Sequence, residues 1–164
     1  MKCSCKYFQD HYPVCTDCSN GQKISVSENK RKYILNNLAG KKVCRIKIDN
    51  CVIDDQTQCK CDYLIIVCKT EDIADEKILY FQEKIYFIEL KGKDLIRAVE
   101  QLTQTIEYFK PKITGKIFAR VVLSRVAFPR SIETDSRVQK LKKILKKYGG
   151  NFDYSSIQYE KDSI

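Results

Sequence analysis

The stretch CDYLIIVCK (61–69), followed after a polar, acidic connection by KIYFIELKGKDL (84–95) and IRAVEQLTQTIEYF (96–109), decides the fold. Its first segment is almost wholly apolar after Asp62, the pattern of a strand buried on both faces. In the second, side-chain alternation puts Phe87, Glu89 and Lys91 on one face and Ile88 and Leu90 on the other. Glu89 and Lys91 thus point the same way, two residues apart. Gly92 ends that strand. Asp94 is placed to N-cap a helix whose Leu95, Ala98, Val99, Leu102, Ile106 and Phe109 recur at helical spacing until Pro111 stops it. An acid at the edge of a buried strand, as Asp62 is, needs something to pair with it.

The flanking sequence supplies further elements. VCRIKID (43–49) alternates like a half-exposed strand, and 116–128 reads as another, reached from Glu89 by a strand-helix-strand connection of parallel-crossover length. Ser25 and Glu28 have the form of a capping box, so a helix is expected from Ser25 with Ile34, Leu35 and Leu38 on its apolar face and Gly40 as its stop. Residues 78–81 suggest a short strand, 136–148 a lysine-rich helix closed by Gly149 and Gly150, 151–159 an edge strand, and 160–164 a loose tail. The expected class is α/β, a mixed sheet flanked by helices.

A chain of 164 residues is one domain's worth and can bury a real core. With 30 Lys and Arg against 21 Asp and Glu, the net charge of +9 favours a polyanion such as nucleic acid. Lys140, Lys142, Lys143, Lys146 and Lys147 on the last helix, and Arg120, Arg125 and Arg130 around the strand before it, are candidate phosphate contacts. The same lysines equally suit a helix C-terminus and solubility. No apolar run approaches the ~20 residues of a membrane span, and the first residues lack a signal-like apolar region, so a cytoplasmic protein with no membrane role is expected.

Nine cysteines, an odd number with no export signal, point to thiols or metal ligands rather than a paired disulfide framework. Cys3-x-Cys5 and Cys15-x-x-Cys18 lie in a cysteine-rich N-terminal arm (1–23) and could supply the four thiolates of a structural Zn²⁺ site, with His11 as a substitute. Cys59-x-Cys61 is a competing source of ligands, which leaves the pairing open.

Two carboxylates from adjacent strands can share Mg²⁺ or Mn²⁺, and a lysine beside them can orient a water or neutralise charge in phosphodiester cleavage. The ordered set of Asp62 on one strand, Glu89-Leu90-Lys91 on the next, a glutamine-rich helix and a further strand resembles the PD-(D/E)xK nuclease superfamily, which includes restriction endonucleases and RecB-like nucleases. The resemblance covers residues 25–128. It implies a restriction-endonuclease-like core of αβββαβ order across a domain at 24–164, with Asp62 and Glu89 as metal ligands and Lys91 as the catalytic lysine. Cys61 stands where the family often has proline. RecB-like members also carry glutamine and tyrosine four apart on the helix. Gln104 and Tyr108 match literally, but a helical wheel turns Gln104 away from the apolar stripe and sets Gln101 and Thr105 at its flank, so Gln101 is preferred. An iron-sulfur cluster of the RecB-like kind is not expected, since no cysteine follows Cys68.

The resemblance implies a Mg²⁺- or Mn²⁺-dependent nuclease acting on DNA rather than RNA, in restriction, repair or anti-phage defence, with a homodimer or larger complex supplying specificity. The alternative is a nuclease-fold module without chemistry that binds nucleic acid or a partner protein.

Overall fold

The computed structural model describes residues 4–68, 84–90, 92–113, 115–125 and 132–164. Lys91, Cys3, Arg130 and the short strand expected at 78–81 lie outside them. The chain is mixed α/β. Helix α1 (Ser4–His11) precedes strands β1 (Thr16–Ser19), β2 (Lys23–Glu28), β3 (Arg31–Asn36), β4 (Val43–Lys47), β5 (Tyr63–Val67) and β6 (Lys84–Glu89). Then come α2 (Leu95–Phe109), β7 (Lys116–Leu123), α3 (Ser136–Lys147), β8 (Phe152–Ser156) and β9 (Gln158–Ser163). One sheet has the order β1-β4-β5-β6-β7-β8 and a second the order β2-β3-β9. Within the larger sheet the pairs β1–β4, β4–β5 and β5–β6 are antiparallel, whereas β6–β7 and β7–β8 are parallel.

The large sheet is covered on both faces, which is why β5 is apolar throughout. On one side Leu64, Ile66, Ile85, Phe87 and Val121 pack with Phe8 of α1, Leu102 and Ile106 of α2 and Leu141 of α3. On the other, Ile65, Val67, Tyr86, Ile88 and Val122 meet Ile24, Val26, Tyr33 and Leu35 of the small sheet. The result is a helix layer, a central sheet and a second sheet. No helix among the described residues is long and apolar enough to cross a membrane.

The helix expected from Ser25 does not form. Residues 23–36 are the β2–β3 hairpin, with Glu28 opposite Arg31 and a two-residue turn at Asn29 and Lys30, whose φ values are 48° and 66°. Such a turn needs positive φ at both positions, which asparagine tolerates. Ile24 and Val26 point inward between outward serines, a period of two that competes with the capping-box pattern and prevails because the face it makes is buried.

The tail expected to be loose at 160–164 is also ordered. β9 pairs parallel with β3, and Ile164 donates its N–H to Asn36 O at 2.8 Å. Arg120 locks it to the large sheet: its Nε donates to Asp162 Oδ2 at 2.7 Å and its Nη2 to Oδ1 at 2.9 Å, while Tyr33 OH donates to Oδ2 at 2.8 Å. Arg120 is 3% exposed and lies over the rings of Phe118, Tyr159 and Tyr86, so it is a core residue and not a phosphate contact. Removing one member of a buried pair strands the other's charge. Asp162→Ala is therefore expected to lower unfolding stability by about 3–5 kcal/mol in urea titrations, and the double variant Arg120→Met/Asp162→Leu by clearly less.

Candidate active site

Strand register builds the site. Tyr63 pairs with Ile88 across β5 and β6, so Asp62, one residue before β5, falls beside Glu89, the last residue of β6. Alternation places both on the helix face, in phase with Leu64 and Ile66 on one strand and Ile85 and Phe87 on the other. Asp62 Oδ2 accepts the Leu90 N–H at 2.7 Å, which fixes that carboxylate against the end of β6. Asp62 is 1% exposed and Glu89 0%. Carboxylates are seldom buried so completely, and two side by side repel each other while losing hydration, a cost that a shared cation offsets.

Helix α2 clamps the two residues that lead into Asp62. Asp94 caps it by accepting the Arg97 N–H at 3.1 Å. Thr105 Oγ1 accepts the Cys61 N–H at 2.8 Å and donates to the Gln101 carbonyl at 2.7 Å, while Gln101 Nε2 donates to Lys60 O at 3.3 Å. Gln101 is thus partly buried beside the strand that carries Asp62. Gln104 and Tyr108 are exposed, and Gln104 lines a surface groove with Cys59, Arg97 and Arg137 on the solvent side of α2. Thr105 is the positioning residue that motif matching passes over; its place at the stripe's flank was the available signal.

The donor set fits a hard divalent ion, since Mg²⁺ and Mn²⁺ take oxygen ligands and commonly one or two carboxylates. Lys60, buried and preceding the site, donates to Asp55 O at 2.5 Å and lies 3.6 Å from Asp49 Oδ1. On α3, Lys142 pairs with Glu133 and Lys140 lies 3.7 Å from Glu107, while Lys143, Lys146 and Lys147 are exposed, as is Arg125.

The cysteines do not gather as the arm pattern suggested. Cys5, Cys15 and Cys18 each sit at bonding distance from a cysteine far along the chain, as the pairs Cys5–Cys68, Cys15–Cys51 and Cys18–Cys44. The segment that holds them is built into the fold, with β1 as the edge strand on β4 and Phe8 fully buried. Cys59 and Cys61 stay free.

Comparison of the chain with protein-family models, curated proteins and solved structures gave no match.

The site also sets the chemistry of Cys61. Burial, then the adjacent Glu89 and Asp62 carboxylates, push its thiol well above the usual range. The fold therefore holds this proton more tightly than the unfolded chain does. The stability involved is complete below the unfolded thiol value of about 8.5 and is lost as pH rises beyond it. Urea midpoints of the wild-type chain are expected to fall between roughly pH 8 and pH 10, and Cys61→Ala to flatten that fall. Iodoacetamide on the native chain should label exposed Cys59 well before Cys61.

Proposed function

We propose that the chain is a metal-dependent nuclease that hydrolyses phosphodiester bonds, with DNA ahead of RNA as substrate. The observation that carries this reading is the pair of buried carboxylates, Asp62 and Glu89, on one face of two neighbouring strands where α2 packs. Support comes also from the run β4-β5-β6 as an antiparallel meander, followed by α2 and by β7 parallel to β6, the order that the PD-(D/E)xK resemblance implies. A restriction-endonuclease-like core is part of the same proposal, with α1 standing in for the helix expected from Ser25.

In this reading Asp62 and Glu89 hold Mg²⁺ or Mn²⁺, which when bound lowers the pKa of a water and neutralises charge on the phosphate oxygens. The Leu90 N–H keeps Asp62 oriented through its Oδ2. Lys91 enters on its place in the sequence alone, two residues after Glu89, as the group that orients the water or neutralises developing charge. Gln101 is the active-site residue on α2 and, with Thr105, holds the strand that carries Asp62. Lys143, Lys146 and Lys147, within a net charge of +9, offer contacts to the phosphate backbone.

The test is a cleavage assay on DNA and RNA substrates with Mg²⁺ or Mn²⁺. The wild-type chain is expected to cut, with chelation abolishing activity, and Asp62→Asn, Glu89→Gln and Lys91→Ala to lose roughly a hundredfold or more. Gln101→Ala should lose less. Full cleavage by Glu89→Gln and Lys91→Ala contradicts the assignment. Nucleic-acid binding that survives in all variants, with no cleavage by the wild type, identifies the chain instead as a binding module on this fold.

A further inference from the structure

Away from the carboxylates, at the opposite end of β5, the sulfurs of Cys5, Cys44 and Cys68 all lie within 4.8 Å of one another and all three residues are buried. Cys18, half-buried and outside that group of three, is at bonding distance from Cys44 and so stands next to it as a fourth donor. Four elements supply them: α1, β1, β4 and the residue after β5. Cys44 and Cys68, which are not bonded to each other, have sulfurs 3.7 Å apart. Ligands about 2.3 Å from a tetrahedral ion are separated by about 3.8 Å, so these two already have the spacing of neighbours on one metal.

Two further details favour thiolate ligands. Gln9 Nε2 donates to Cys18 Sγ at 3.3 Å, the kind of outer N–H contact that steadies a metal-bound sulfur. The Cα atoms of Cys18 and Cys44, directly opposite on β1 and β4, are 4.0 Å apart, whereas a direct disulfide usually spans about 4.4–6.8 Å. Two thiolates on a shared ion are free of that limit. Cys15 and Cys51 pair with each other and not with any of these four cysteines.

We propose that in the reduced chain Cys5, Cys18, Cys44 and Cys68 form a single tetrathiolate site for Zn²⁺. The ion joins α1 and the edge strand β1 to the centre of the sheet, independently of the carboxylate site and of any nuclease activity. The four thiols deprotonate on binding and Zn²⁺ keeps its oxidation state, so no oxidant or reductant is involved.

The experiment is metal analysis of the full chain purified with a thiol reductant and then equilibrated with Zn²⁺. One Zn²⁺ per chain is expected, retained in Cys15→Ser and Cys51→Ser and lost in Cys44→Ser and Cys68→Ser. Since the last two variants could fail to fold, iodoacetamide footprinting of the wild-type chain supplies a second readout. Zn²⁺ should slow labelling of Cys5, Cys18, Cys44 and Cys68 at least tenfold, reversed by chelator, and leave Cys59 unchanged. No bound Zn²⁺, or footprinting protection centred on Cys15 and Cys51 instead, overturns the proposal.

Discussion

The register of β5 against β6 is the constraint on which the rest depends. With Tyr63 opposite Ile88, Asp62 and Glu89 lie together on the helix face, and Asp62 is secured by the Leu90 N–H. A slip of one residue would turn one acid towards Tyr86, Ile88 and Leu90, the face on which the small sheet packs. Both coverings of the sheet enforce this register. Leu64, Ile66, Ile85 and Phe87 fill the helix side, and Ile65, Val67, Tyr86 and Ile88 fill the other.

Strand β5 also links two chemically different places. Its approach carries Asp62, set by Thr105 and Gln101 through Cys61 and Lys60. Its exit carries Cys68, among the clustered sulfurs that tie down α1 and β1. Hard oxygen donors at one end and soft sulfur donors at the other suit different ions, so the two sites need not compete. Fixing Cys68 limits how far the short strand can slide, which protects the placement of Asp62.

The sequence made the central part legible for physical reasons. An apolar run bounded by an acid, a period-two strand with Glu89 in phase with Phe87, and a capped amphipathic helix each depend on local pattern, and β5, β6 and α2 formed within two residues of their expected bounds. The wheel argument for α2 worked likewise, since facing is fixed once the stripe is known: Gln101 turns inward and Gln104 outward. Elements decided by distant partners were less legible. Residues 23–36 carry both a capping-box pattern and an alternation, and burial of Ile24 and Val26 against the large sheet selects the strand. Glu160 to Ile164 looks polar and loose because its anchors, Arg120 and β3, are far away in sequence. The cysteines joined across 26, 36 and 63 residues, which no local spacing such as CxC or CxxC encodes.

The most direct measurement of the central claim is anomalous scattering from crystals soaked in Mn²⁺. A single strong peak within coordination distance of both the Asp62 and Glu89 carboxylates, absent in Glu89→Gln crystals, is the predicted result. Crystals that bind Mn²⁺ elsewhere, or in which the two carboxylates contact only protein atoms at saturating Mn²⁺, would contradict it.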